Sequence, residues 1–366
     1  MKTLHRLLSS LVLAAGTFAA SSVTAADVLV PPPGYQLPVL QKKASGFSCP
    51  IIGAPFTATL DFPSKYEGSG KARDAVNDSS EREYKEKTKP INDTEKGIVK
   101  AVDKYLDTGE PAALKCALDG YLAWSGAHAL LGEAANHTGK SIRKWTLASL
   151  AGAYLRLKFS ASQPLAAYPE QAKQIEAWFG QIADRVVTEW NEDDPLQKIN
   201  NHYYWAAWSV MATSVILNRR DLFDWSTKMY AIFAKQVDAD GYLPNELARQ
   251  TRALGYHSYA LTPLTIMAAF GKANGINLAA AGDNALQRVG ERTLQGLADP
   301  TVFEKKTGSQ QIIEGLDDSD SKLAWLEPYC WTVGCSAAAA EKAASMRPMK
   351  NTRLGGDVSR EFAQRP

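Results

Sequence analysis

Long apolar runs are missing from this 366-residue sequence. The best candidate, residues 7–20, falls short of the roughly 20 apolar residues a bilayer-spanning helix needs, and nothing later is more apolar. Membrane insertion is therefore not expected. A charge excess is missing too. Lysine plus arginine number 41 and aspartate plus glutamate 39, a formal net charge of +2. Net charge thus gives no footing for nucleic acid or another polyanion, and an anionic partner must be drawn by a local basic cleft. Histidine is scarce, at five residues. The four cysteines, Cys49, Cys116, Cys330 and Cys335, show no Cys-x-x-Cys spacing and have no histidine close by. That set does not suggest a metal site, and no cofactor is expected. Segments of period two are absent as well, which argues against a sheet.

What is present begins with a basic start, Lys2 and Arg6, followed by the short apolar run and a small-residue stretch, Val23-Thr24-Ala25-Ala26. This reads as a secretory signal over residues 1–26, with a single exported domain over 27–366. Loss of Lys2 and Arg6 takes the basic side chains from 41 to 39, level with the 39 acidic ones. An even cysteine count in an exported chain favours disulfides. Cys330–Cys335 would close a small loop near the end, and Cys49–Cys116 would tie an extended N-terminal segment to an early helix. Other pairings and free thiols stay open.

Residues 28–50 are rich in proline and glycine and read as an extended arm lying on the domain. Residues 69–92 carry eleven charged side chains, Lys71, Arg73, Asp74, Asp78, Glu81, Arg82, Glu83, Lys85, Glu86, Lys87 and Lys89. This stretch is expected to be solvated, as a lid over a cleft or as a plain charged helix or linker. From residue 93 onward apolar positions recur at helical spacing. Helices are expected over 93–106, 111–131, 141–159, 169–190, 198–217, 220–237, 246–270 and 284–297, the seventh broken or kinked at Pro263. Amphipathic helices of similar length joined by short polar turns imply an all-α chain of antiparallel hairpins. Closure into an α/α toroid would give each hairpin two neighbours, and a superhelical array would bury the same faces.

Three stretches carry candidate chemistry. In residues 198–209, His202, Trp205, Ala206 and Ser209 share one helix face, with Asn201 and Trp208 beside it. Flat rings beside amide and imidazole groups suit a sugar, whose C–H faces are apolar and whose hydroxyls and carboxylate need partners. The plainer reading is a helix start capped by Asn200 or Asn201, with His202 a satisfied core histidine. In residues 245–259, Asn245, Arg249, Arg252, Tyr256 and Tyr259 would line one stripe of a continuous helix, and Leu247, Leu254 and Leu261 the other side, with His257 at its edge. Arginine forks beside tyrosine hydroxyls suit an acidic polymer, and the alternative is a solvated arginine face. In Asn136-His137-Thr138-Gly139-Lys140, the side chains either cap the third helix or line a cleft whose helix N-terminus favours an anion. A glycoside hydrolase with two carboxylates is a rival, with Asp240, Glu246 or Glu133 as candidates. A polysaccharide-binding subunit without activity is another.

Several longer strings sharpen this. Ser64-Lys65-Tyr66-Glu67-Gly68, Asn136-His137-Thr138-Gly139-Lys140-Ser141, Lys198-Ile199-Asn200-Asn201-His202, Trp205-Ala206-Ala207-Trp208-Ser209 and Leu243-Pro244-Asn245-Glu246-Leu247 are long and specific. With them the sequence resembles the periplasmic alginate lyases of polysaccharide lyase family 5, the poly(β-D-mannuronate) lyases, along essentially the whole mature chain. The resemblance implies an incomplete α/α toroid with a deep cleft. It implies β-elimination on mannuronate-rich alginate in the periplasm, without metal or cofactor, with export and biosynthesis proteins as possible neighbours. By the same resemblance, Asn201, His202, Arg249 and Tyr256 are the catalytic set. Asn201 and Arg249 would neutralise the C6 carboxylate, and Tyr256 would serve as acid to O4 and as base in mannuronate. His202 would help neutralise the carboxylate or take the C5 proton. Ser64, Lys65, His137, Thr138, Trp205 and Tyr256 would bind substrate, Trp205 by stacking on a sugar. Arg249 is expected to bring the Tyr256 phenol below its usual pKa of about 10.

Overall fold

Residues 28–363 are described by a computed structural model, apart from 44, 45, 192, 197 and 317. The expected signal stretch, 1–26, lies outside the described residues. The charged stretch 69–92 divides in two. Residues 69–77 form turns, and α1 (Asp78–Thr108) then starts well before residue 93. Asn77 caps it by accepting from the Ser79 and Ser80 N–H groups. Three i,i+4 ion pairs, Glu81–Lys85, Glu83–Lys87 and Lys89–Asp93, run along its exposed face. They favour helix where charge density alone suggests a linker. Gly109, in the left-handed region at φ 70°, ends the helix as expected.

The chain continues through α2 (Pro111–Gly126), α3 (His137–Lys158), α4 (Pro169–Glu189), α5 (Asn201–Leu217) and α6 (Arg220–Gln236). Then follow α7 (Pro244–Leu247), α8 (Ala253–Ala273), α9 (Ala281–Ala298) and α10 (Thr301–Thr307). The expected single helix over 246–270 is thus two helices. The break is not at Pro263, which lies inside α8, but at 248–252, where Gln250 adopts φ 50°. Next come α11 (Leu326–Val333) and α12 (Ala337–Ser345). The tail beyond α12 is more ordered than its composition suggests, with a two-residue antiparallel pair β1 (Lys350–Asn351) and β2 (Gly356–Asp357), and α13 (Val358–Phe362).

The helices form two concentric rows. α1, α3, α5, α8 and α11 pack in that order as an inner row. The outer row is α2, α4, α6 and α9, each against its inner neighbours, with α2 on α4 and α6 on α9. The C-terminal pair and α13 fill the space between α11 and α1, so the ring is an incomplete α/α toroid. α5 is the hub. All but its ends is buried, because it packs on α3, α4, α6 and α8 together. That explains why its sequence is apolar all round rather than striped.

Termini and loops are fastened to this frame. Tyr35, on the N-terminal arm, sits edge-on to Phe270 and Phe362. The Arg156 guanidinium, 2% exposed, binds Asp103 of α1, Glu361 of α13 (2.9 Å) and the Gly355 carbonyl (2.9 Å). Gly355, at φ 91°, lies so close to α3 that a Cβ there would come within 2.2 Å of the Gly152 carbonyl carbon. Cys49–Cys116 joins the arm to α2, and Cys330–Cys335 closes the turn between α11 and α12.

Candidate active site

The N-terminus of α5 is set by Asn200, whose side chain accepts from the His202 N–H at 3.0 Å. The plain capping role therefore belongs to Asn200, which frees the next two side chains for other partners. Asn201 is 1% exposed. Its backbone N–H donates to Glu246 Oε1 at 2.7 Å, and its Nδ2 donates to both Glu246 oxygens at 3.1 and 3.0 Å. Asn201 Oδ1 is buried without a partner. Burial pushes the Glu246 carboxyl up to about 7, against the Asn201 hydrogen bonds and the charge of Arg249. His202 is half-buried. Ser141 Oγ and Lys144 Nζ, both on α3, each lie 3.1 Å from its Nδ1. Its ring stacks parallel on Trp190 and meets His137 edge-on, with centroids 4.7 Å apart. Burial first, and then the cations of Lys144, Arg249 and Arg73 among its neighbours, hold the imidazole well below its usual range, so it is neutral.

The second half of the site comes from the break before α8. With the chain turned at Gln250, Arg249 Nη2 donates to the Tyr256 hydroxyl at 2.8 Å, and the guanidinium carbon lies 3.8 Å from the centre of the Tyr256 ring. The Tyr256 hydroxyl donates to the Tyr66 hydroxyl at 3.2 Å. Burial dominates the phenol of Tyr256 and pushes it well above its usual range, even though Arg249 pulls the other way. The expectation that cations bring Tyr256 down is therefore not met. Tyr256 is a neutral phenol in the free protein. Tyr66 moves in the opposite direction despite partial burial. The hydrogen bond from Tyr256 and the charges of Lys65 and Arg252 lower it.

The third part is a wall. Residues 61–64, Glu67, Arg73, Glu83, Lys87, Asn136, His137 and Thr138 line a cleft of about 410 Å³. Asn136 pins its two sides together. Its Oδ1 accepts from the Gly139 N–H at 2.8 Å, and its Nδ2 donates to Asp61 Oδ1 and the Phe62 carbonyl at 2.5 and 3.0 Å. Only glycine fits at 139, because a Cβ there would lie 2.0 Å from the Leu60 carbonyl oxygen. Across the cleft, Arg249 donates to the Arg73 carbonyl, and Thr251 and Arg252 bond to Asp74. The turns at 69–77 thus reach the α7–α8 junction like a strap over the cleft.

The expected stripe is only partly assembled. Arg249, Tyr256 and Tyr259 converge, but Asn245 instead holds the Leu196 and Ile199 carbonyls. His257 is a satisfied core histidine that accepts from the Leu243 N–H at 2.8 Å. Ser64, His137 and Thr138 line the cleft, while Lys65 is exposed with its ammonium 5.0 Å from the centre of the Tyr66 ring. Trp205 does not fit its expected role. It is 1% exposed and packs on Tyr259 at 5.2 Å, so no sugar face can reach it. Tyr66, Lys144 and Arg73 were not singled out as site residues from the sequence. Tyr66 lies 190 positions from its partner Tyr256, and Lys144 58 from His202. The paired carboxylates of the hydrolase rival do not form. Glu246 is bound to Asn201, Asp240 is tied to Lys306 at 3.0 Å, and Glu133 stands exposed. No cluster of three or more metal-ligating side chains occurs among the described residues.

Known proteins resemble this chain in sequence and in overall fold. The family model described as alginate lyase matches residues 61–303. An alginate lyase of Azotobacter vinelandii is 50% identical over 97% of this chain and 93% of its own length. One of Pseudomonas aeruginosa is 48% identical over 100% of this chain and 99% of its own length. Among solved structures, alginate lyase A1-III complexed with tetrasaccharide superposes with a TM-score of 0.74 at 22% identity, covering 89% of each chain. The A1-III structure from Sphingomonas species A1 gives a TM-score of 0.70 at 21% identity.

Proposed function

The chain belongs to the alginate lyase family, and from that premise we propose that it cleaves mannuronate-rich alginate by β-elimination at the site described above. The observation that carries the reading is the hydrogen-bonded set Arg249–Tyr256–Tyr66, whose arginine charge also acts on both His202 and Glu246. It joins a cation to a neutral phenol, and the same cation acts on a neutral imidazole. Elimination at a 4-linked uronate has three needs. The C6 carboxylate must be neutralised so that H5 becomes acidic, a group must accept H5, and a group must protonate the departing O4.

Arg249 supplies the charge for the carboxylate, while Asn201, 1% exposed with its Nδ2 committed to both Glu246 oxygens, acts behind the site by holding Glu246 rather than by touching the sugar. Tyr256 stands as acid to O4. In mannuronate H5 and O4 lie on the same side of the ring, so one hydroxyl reaches both. The C5–H and C4–O4 bonds break, C4=C5 forms, the phenol gives its proton to O4 and its oxygen receives H5. Tyr256 ends the cycle as it began. A phenol kept neutral by burial suits this order better than a resting phenolate. Ser64, His137 and Thr138 line the cleft for neighbouring sugars, with Arg73 and Lys65 as further positive charge.

We place the activity in the periplasm, on polymer that strays from export. The basic and apolar start of the chain and two disulfides support that placement. Specificity is tested by comparing initial rates on mannuronate-rich and guluronate-rich polymers. The reading expects at least a tenfold preference for the former, and equal or reversed rates would remove it.

Arg249→Ala is expected to lower kcat/KM by about 10²-fold, the scale of a lost charge-assisted hydrogen bond. In the parent protein, KM should rise steeply between low and physiological salt as screening weakens the cleft's hold on the polyanion. Salt-independent KM values would contradict an electrostatic groove.

A further inference from the structure

Lys144 is a buried cation that the elimination scheme leaves without a task. It is fully buried in α3, and no acidic side chain among the described residues pairs with it. A buried ammonium without a counter-ion is costly unless each N–H finds an acceptor. Three acceptors are present. Nζ lies 3.1 Å from His202 Nδ1, 3.3 Å from Ser141 Oγ and 3.2 Å from the centre of the Trp190 ring. An ammonium has three donors and no acceptor, and a π face attracts a cation. The environment therefore uses every N–H of a charged Lys144.

We propose that Lys144 is a positioning residue that fixes His202 as the tautomer protonated on Nε2, so that the imidazole donates a hydrogen bond to the substrate carboxylate rather than taking the C5 proton. The inference rests on the elimination reading above and assigns the role that reading leaves open. An ammonium at Nδ1 can only donate, so Nδ1 must present its lone pair. A neutral imidazole then carries its hydrogen on Nε2. Nε2 has no protein partner among the described residues and is not an enclosed orphan, which leaves it for a ligand. A base at Nε2 would need the opposite tautomer, with Nδ1–H pointing at a cation. The surroundings keep His202 neutral, as the tautomer argument requires.

Burial first, and then the charge of Arg353, push Lys144 itself well below the usual range of a lysine. A neutral amine would accept from Nδ1–H and reverse the tautomer, so the charge of Lys144 and the role of His202 are one property. Trp190 links them physically, because its ring takes the ammonium on its face and stacks on the imidazole at an interplanar angle of 4°.

The test is the ¹⁵N spectrum of histidine-labelled full-length protein at neutral pH, with the His202 signals assigned by their loss in His202→Asn. The expected result is protonated Nε2 and unprotonated Nδ1. Lys144→Met should move His202 toward the Nδ1–H form, with Ser141 Oγ as acceptor, and lower kcat at least tenfold with little change in KM. Ser141→Ala, which leaves Lys144 as the Nδ1 partner, should keep the parent tautomer and covers the case in which Lys144→Met fails to fold. Nδ1–H in the parent overturns the proposal, as does a tautomer that follows Ser141 rather than Lys144. A parent spectrum with Nε2–H but no lyase activity would instead sink the elimination reading and leave the tautomer assignment standing.

Discussion

Tyr256→Phe should abolish turnover while leaving polymer binding within a few-fold of the parent. The change removes one oxygen from a ring that stays packed against Tyr259, with centroids 6.1 Å apart, and under the Arg249 guanidinium. Cleft shape and charge are kept. What is lost is the group that both donates to O4 and receives H5. The expected loss in kcat is about 10⁴-fold, the upper end for a positioned proton-transfer group, because the two transfers share one atom. Tyr66 is not expected to substitute, since its hydroxyl reaches the reacting centre through Tyr256. Binding is read by retention of deacetylated alginate on the inactive variant. Near-parental turnover would remove Tyr256 from the mechanism.

The largest stability effect is expected at Arg156→Met, far from the chemistry. Arg156 joins α3 to Asp103 of α1 and to Glu361 of α13, and Glu361 is 4% exposed. Burial already holds the Glu361 carboxyl up to about 7, with Arg156 the main influence opposing it. Without the guanidinium, the Glu361 and Asp103 carboxylates keep only longer ion pairs, to Arg360 at 3.7 Å and Lys350 at 3.8 Å. The scale for breaking a buried pair by removing one partner is about 3–5 kcal/mol. Chemical denaturation should show that loss, and the C-terminal segment, which fills the gap in the toroid, should become the first protease-sensitive part. Replacing all three residues together should cost less, because no carboxylate is then left without the guanidinium. A single variant within about 1 kcal/mol of the parent would contradict this account of the closure.

Much of the frame was legible because helical periodicity survives wherever a helix has one wet face. The stops and caps followed the same local rules, as at Pro111, Pro169, Asn200 and Gly109. The break before α8 was not legible. Ala248-Arg249-Gln250-Thr251-Arg252 has ordinary helix formers throughout. The chain turns there because residues 309–312 take its backbone groups. Gln311 Nε2 donates to the Gln250 carbonyl at 2.9 Å, Ile312 N–H donates to the Thr251 carbonyl at 2.8 Å, and Gln311 Oε1 accepts from the Leu254 N–H at 3.0 Å. Tertiary contacts some 60 residues away outweigh local propensity.

The site was legible in its residue types and less so in its pairings. Asn201 and His202 stood out as amide and imidazole beside flat rings, Arg249 and Tyr256 as an arginine fork beside tyrosine hydroxyls, and only the family resemblance joined the four into one set. Trp205 was misjudged because helix spacing puts it one turn from His202 without saying that α8 covers it with Tyr259. Nothing in the sequence marked Lys144, and Glu246 stood there as a candidate carboxylate of the hydrolase rival. Their meaning depends on what α5 brings against them.

The most direct test of elimination follows ultraviolet absorbance of the conjugated 4,5-unsaturated uronate and new reducing ends in one reaction on deacetylated, mannuronate-rich alginate. The account predicts that the two rise together, one unsaturated end for each reducing end, and that both vanish in Tyr256→Phe. Reducing ends without the absorbance would mean hydrolysis and would contradict it.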